Sequence, residues 1–204
     1  MNSEQLAKAQ QVAKDLFRSF VPKIEIGMDE MDLIKAFLEH QKAAGHPKNW
    51  HPPKIRIGKN TLYPYNVKST FTETLHAHSF LFIDIGVIVE GYESDYGESL
   101  FMGGDHPLVT AGLEIWQQLR DYWFQQKATG KQIYQLGREL AVQKGLELDC
   151  IEGGHPIGKF PHSREGAQDM SELDETPREY QWILEVKLID HQRELGSFYE
   201  DMLK

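Results

Sequence analysis

LFIDIGVIVEGYESDYGESLFMG, residues 81–103, is the stretch that decides how this chain is read. An apolar run, Leu81-Phe82-Ile83, meets Asp84, and apolar residues resume at Ile85, Val87, Ile88 and Val89. That pattern predicts a strand buried on both faces with one acid inside it. A turn near Glu90-Gly91 sends the chain back through Tyr92 to a second acid, Asp95. A hairpin centred between Val89 and Glu90 sets Asp84 directly opposite Asp95, with Cβ atoms roughly 5 Å apart on one face. Two carboxylates placed that way lose solvation and repel each other. Either a proton on one of them or a divalent cation between them resolves the conflict. A lone pair of strand acids is more often an edge feature facing water, so the metal reading needs a second pair.

Working outward, the second pair lies downstream. Trp182–Ile189 is another apolar run interrupted by one acid, Glu185, and Ser197–Leu203 closes the chain around Glu200. Ahead of each acid pair stand two amphipathic helices. Ser3 opens the first, with Leu6, Ala9, Ala13, Leu16, Phe17 and Phe20 inward, and Pro22 ends it. Asp29 caps the second, which stops at Gly45. Asp105 with Pro107 starts a third, and Thr129 with Gln132 has capping-box spacing for a fourth, stopped by Gly145. Short strands are predicted at Lys54–Ile57 and Leu146–Ile151. The loop before and around the former is Pro-rich and carries His46, Trp50 and His51. Residues 161–181 are polar and charged, and Glu172–Glu175 there reads as a solvated connection or a lid.

Asp84 precedes Glu185 by 101 residues and Asp95 precedes Glu200 by 105, each about half of the 204-residue chain. The expectation is an α+β domain spanning 1–204, with pseudo-twofold halves of about 1–104 and 105–204. The halves share architecture and no visible sequence identity. Four acids brought to the centre of such a domain are tolerable only with compensation, and two divalent cations supply it.

Composition sets the outer bounds. At 40% hydrophobic and 26% charged residues, the chain has material for one ordinary core. A net charge of -9 with no polybasic run argues against nucleic acid and anionic membrane surfaces as partners. Cys150 is the single cysteine and cannot form an internal disulfide, so a reducing cytoplasm is expected, with Cys150 as a small core residue. No apolar run reaches membrane length.

Between the acid pairs lies GGHPIGKFPH, residues 153–162, with His155 behind two glycines and His162 seven positions on. The order Asp84, Asp95, Gly-His155, Glu185, Glu200 resembles the pita-bread metallopeptidases: methionine aminopeptidase, aminopeptidase P, prolidase and their non-peptidase relative creatinase. FIDIGVIVEGYESDYGESLFMG, GGHPIGKFPH, WILEVKLID and GSFYEDML carry the resemblance, and HPPKIRIGKNT is similar to the segment entering the core in the aminopeptidase P branch. It covers roughly Trp50 to Leu203. The resemblance implies two pseudo-twofold halves, each two helices plus antiparallel strands, around a central curved sheet. The length is that of a catalytic domain without the extra N-terminal domain of aminopeptidase P and prolidase.

Residue by residue, the resemblance implies that Asp84 chelates one metal and Asp95 bridges both. His155 and Glu185 would bind the other metal, and Glu200 would bridge again. Two ions of Mn, Co, Fe or Zn suit such a set. In relatives they share a water, lower its pKa and polarise the scissile carbonyl at a separation of about 3.5–4 Å. Glu185 would shuttle the proton, and His162 would contact the substrate or the developing oxyanion. The implied activity is peptide-bond hydrolysis by an aminopeptidase of the Xaa-Pro or methionine kind. Its partner would be a peptide or other small amide, with a homodimer open.

Three departures from the family pattern stand out, the first two bearing on the substrate. The family's peptidases carry a further His 17 or 18 residues before the first Asp, where this chain has Val67 and Asn66. His76 and His78 lie nearer, as surface residues or a shifted substitute. Pro156 follows His155 where methionine aminopeptidases have Gly, which stiffens the loop and removes an amide donor. Glu200 sits four residues from the last residue, which predicts a short final strand. A non-peptidase small-molecule hydrolase, or a binding protein that keeps the fold without catalysis, are the alternatives.

Overall fold

The computed structural model describes residues 3–69, 72–149, 153–162 and 169–204. Cys150 and Ile151, assigned to the core and to a strand end by sequence, lie outside those residues. Helices α1 (Ser3–Phe20) and α2 (Glu30–Ala43) lead the chain, followed by strand β1 (Lys54–Ile57). Next come β2 (Phe80–Ile85), β3 (Ile88–Val89), β4 (Tyr92–Glu93) and β5 (Tyr96–Phe101). The second half repeats the plan with α3 (Pro107–Gln126), α4 (Gly130–Gln143), β6 (Glu147–Asp149), β7 (His155–Pro156), β8 (Trp182–Asp190) and β9 (Leu195–Met202).

The helix boundaries follow local chemistry. Asp29 and Asp32 form a reciprocal capping box on α2, and Thr129 with Gln132 does the same on α4. Gly45 and Gly145 end these helices at positive φ, as their lack of a Cβ allows. On α3 the cap is His106, not the expected Asp105: Pro107 takes the first helical position, and His106 Nδ1 accepts from the Leu108 amide at 3.2 Å.

Every strand pair is antiparallel, and the main sheet runs β1-β2-β5-β9-β8-β6, with β7 beside β6 on the same edge of β8. The two halves thus meet at β5 and β9, with β2 and β8 flanking them and β1 and β6 outermost. Alternation along the strands separates two faces. Ile83, Tyr96, Leu184, Val186 and Tyr199 belong to the core that the helices complete. There Phe17 meets Tyr96 edge-on at 5.2 Å, and Trp116 lies 5.3 Å from Tyr199. The opposite face carries Asp84, Glu185 and Glu200, alongside Phe82 and Phe198.

The register of the central hairpin differs from the sequence expectation. Glu90 and Gly91 both have positive φ and form a two-residue turn flanked by the Val89–Tyr92 pair. The turn centre lies one residue later than expected, so all pairings slip by two. Asp84 faces Gly97, and Asp95 falls in the break between β4 and β5. A slip of two preserves the face on which a side chain lies.

One further expectation changes. The final strand is eight residues long rather than short. Residues 169–181 include a short 3-10 helix, Met170–Glu172, whose Met170 is fully buried and whose amides bond Gly154 and Gly153 carbonyls. Apolar burial of one methionine anchors a segment whose composition is otherwise polar. Among the described residues no helix is long and apolar enough to cross a membrane.

Candidate metal centre

One row of residues crosses the sheet. Lys54 pairs with Asp84, Asp84 with Gly97, Gly97 with Glu200, and Glu200 with Glu185. Glycine at the middle is required: a Cβ on Gly97 would lie 2.5 Å from the Phe198 ring and 2.8 Å from Glu200 Oε1. Asp84, Asp95, Glu185 and Glu200 are all less than a tenth exposed.

Asp95 reaches the same place from outside the row. Gln10 of α1 clamps its backbone, donating to the Asp95 carbonyl at 2.5 Å and accepting from its amide at 3.0 Å. Its carboxylate faces two imidazoles, with His51 Nε2 3.1 Å from Oδ1 and His155 Nε2 2.9 Å from Oδ2. His155 sits on β7, opposite Ile183. Gly154 has φ +60°, and a Cβ there would lie 2.5 Å from the Ile183 carbonyl oxygen, so the close backbone approach needs glycine. His155 Nε2 also lies 3.5 Å from Glu185 Oε1.

The electrostatics are those of crowded acids. Burial raises the Glu200 carboxyl well above its usual range, and the charges of Asp95, Asp84 and Glu185 raise it further. Burial alone would raise Asp95 too, but the charges and hydrogen bonds of His51 and His155 hold it well below the usual range. Burial works to lower His51, and the Asp95 and Asp84 charges overcome it, raising the imidazole to about 9.

Ligand atoms of His51, Asp84 and Asp95 lie within 4.8 Å of one another, as do those of Asp95, His155 and Glu200. Asp95 belongs to both groups. Among the described residues Glu200 Oε1 is buried without a hydrogen-bond donor, which is costly unless a cation meets it. Oxygen-rich donors with imidazole nitrogen match divalent first-row metals, so the side chains present fit such ions. A cavity of about 320 Å³ opens over these groups, lined also by Trp50, Tyr65, Phe198, Asn66 and Asp169.

A sequence profile of metallopeptidase family M24 matches residues 4–182. The chain belongs to metallopeptidase family M24. A search of curated proteins found no match. Among solved structures, the fold is similar to Xaa-Pro dipeptidase from Bacillus anthracis, with TM-score 0.79 and 20% identity over 100% of this chain and 59% of that one. X-Pro aminopeptidase from Thermotoga maritima gives TM-score 0.74 and 18% identity over 97% and 56%. Methionine aminopeptidase from the same organism gives 0.73 and 12% over 97% and 90%. The chain spans little more than half the length of the first two. The fold is the pita-bread fold of this M24 family.

All five ligands expected by resemblance, Asp84, Asp95, His155, Glu185 and Glu200, line the cavity. His162 does not. Its imidazole pairs with the buried carboxylate of Glu93, which also accepts from the Gly158 amide at 3.0 Å. His76 and His78 are exposed, away from the cavity lining. Sequence reasoning noted His51 without giving it a role and passed over Tyr65. The signal available was the strand that follows His51, since Lys54 on β1 is the direct partner of Asp84.

Proposed function

We propose that this chain is a metal-dependent peptidase that removes residues from the N-termini of short peptides, with Xaa-Pro or N-terminal Met as the favoured ends. The observation that carries this reading is the row Asp84-Gly97-Glu200-Glu185 with Asp95 and His155 over it, at the floor of one cavity. Asp84, Asp95, His155, Glu185 and Glu200 would hold two divalent ions, with Asp95 and Glu200 shared between them. When bound, such ions supply an acidified water and polarise an amide carbonyl.

The side chains divide the remaining work. Glu185 takes and returns the proton, being buried at the cavity floor beside His155. Trp50, Tyr65 and Phe198 offer flat apolar walls to the substrate's side chains and keep bulk water from the floor. His162, held by Glu93, is proposed to meet the substrate or its developing oxyanion from the neighbouring loop. That role requires a substrate that extends beyond the cavity lining.

A second reading, a non-peptide small amide as substrate, is favoured by one observation. Tyr65 and Asn66 stand on the cavity wall, and neither residue 66 nor 67 supplies the upstream His of the family's peptidases. A panel of Xaa-Pro, N-terminal Met and non-proline dipeptides and tripeptides, assayed with Mn, Co or Zn added, separates the two. Release of free N-terminal residues supports the peptidase. Metal loading without turnover on any peptide overturns it in favour of the small amide.

A further inference from the structure

His51 is the one cavity imidazole that the five-ligand set leaves unused. Its ring is held on all sides. The Trp50 amide donates to the Gly86 carbonyl at 3.0 Å, and the Trp50 indole donates to the Ser94 carbonyl at 2.8 Å. Trp50 meets the His51 ring edge-on at 4.3 Å, and Tyr65 does so at 5.6 Å. A Cβ on Gly86 would lie 2.2 Å from His51 Nε2, so the glycine makes room for this ring. The side chain is 10% exposed.

Its orientation repeats that of His155. His51 Nδ1 lies 2.9 Å from the carbonyl oxygen of the next residue, Pro52, and His155 Nδ1 lies 3.0 Å from that of Pro156. A carbonyl only accepts, so Nδ1 of each ring donates there, which leaves Nε2 as the nitrogen facing the acids: it donates to Asp95 in this structure and is the atom whose lone pair a metal ion would take in place of that proton. His51 Nε2 faces Asp95 Oδ1 at 3.1 Å and Asp84 Oδ1 at 3.6 Å. His155 Nε2 faces the other oxygen of Asp95 at 2.9 Å and Glu185 at 3.5 Å. His51-Pro52 and His155-Pro156, two of the chain's four His-Pro pairs, are 104 residues apart, close to the separations of the two acid pairs. The two imidazoles therefore flank Asp95 from opposite halves, His51 with Asp84 beside it and His155 with Glu185 beside it.

We propose that His51 is a metal ligand in this chain, giving the Asp84-side ion a nitrogen donor that mirrors His155 on the other ion. This rests on the metal-centre reading above and extends it from five protein ligands to six. A second imidazole leaves the charge of the ligand set unchanged and adds a borderline nitrogen donor to otherwise hard oxygens on that side. It therefore biases that ion toward Co, Zn or Fe over Mn.

The test is titration of purified full-length protein with Co²⁺ and Zn²⁺, as wild type, His51→Gln and His51→Ala. Calorimetry gives the stoichiometry and affinities, and ¹⁵N NMR of histidine-labelled protein follows the imidazole nitrogens on adding Zn²⁺. In the wild type, two imidazole Nε2 signals should move on Zn²⁺ addition. In His51→Gln one of these should vanish, and one of two binding events should weaken at least about tenfold, the scale seen on losing even an outer partner of a ligand. The other event should be unchanged. If His51→Gln retains both affinities, or a single Nε2 signal moves in the wild type, His51 is a hydrogen-bonding or substrate-facing ring and the proposal is overturned. Failure of the wild type to bind either ion would instead overturn the metal-centre reading itself. The wild-type NMR measurement needs no folded variant.

Discussion

Glu185 on β8 and Glu200 on β9 are direct cross-strand partners, both buried and both on the face away from the helices. Like charges in that relationship destabilise a sheet, and here Asp84 and Asp95 add two more. Burial and these neighbours raise the Glu200 carboxyl. His51 is raised from 6.5 to about 9. Both groups bind protons more tightly in the folded chain than in the unfolded one.

A pH dependence follows for chelator-treated protein. Glu200 favours the folded state below its ordinary 4.5 and loses that contribution as pH rises. His51 does the same between 6.5 and about 9. Asp95, held low, is ionised in both states throughout this range and adds no slope. Metal-stripped protein should therefore melt at lower temperature near pH 8.5 than near pH 5.5, with His51 contributing on the order of 2–3 kcal/mol. Metal-loaded protein should show the reverse trend, because its ligands must be deprotonated. Calorimetric melting with and without chelator checks both signs, and a flat metal-free profile would contradict the first.

Asp95→Asn should remove metal binding and activity together while leaving a folded chain. Gln10 grips the Asp95 backbone and not its side chain, so the local structure survives the change. The lost carboxylate is the group shared by both donor clusters. Elemental analysis paired with far-UV circular dichroism separates this outcome from simple unfolding.

Gly97→Ala places a methyl group against Phe198 and Glu200 Oε1. Expected is a loss of about 1–3 kcal/mol of stability from overpacking, with weakened metal affinity because Glu200 must turn aside. Denaturant unfolding and metal titration of the same variant measure the two effects. Unchanged affinity would show that the carboxylate position is not set by this gap.

His162→Ala should spare metal stoichiometry and lower kcat, since the imidazole is engaged with Glu93 outside the cavity lining. Glu93→Gln, which keeps an acceptor for the Gly158 amide, should reproduce part of that loss through misplacement of His162. Loss of metal in either variant would assign these residues to the centre itself.

The acids were legible because each interrupts an apolar strand: Asp84 within 81–85, Glu185 within 182–189, and Glu200 within 197–203. Helix ends were legible where capping is local, as at Asp29 and Thr129. The hairpin register was not, because the positive φ of Glu90, a non-glycine residue, moves the turn by one position. His51 was hidden for a different reason. It precedes Asp84 by 33 residues, and only the pairing of β1 with β2 brings them together. The Glu93–His162 pair spans 69 positions and has no local signature either. Long-range convergence was read from the spacing of the acid pairs; it was missed for His51, although its 104-residue distance from His155 repeats that spacing, and for the Glu93–His162 pair.

The most direct measurement is the metal content of purified wild-type protein after equilibration with Mn, Co or Zn and removal of free ion, alongside Asp95→Asn. Two tightly held divalent ions per wild-type chain, falling to fewer than one in the variant, is the expected result. A folded wild-type chain that retains no divalent ion would show that its four converging acids are reconciled by protons and imidazolium alone.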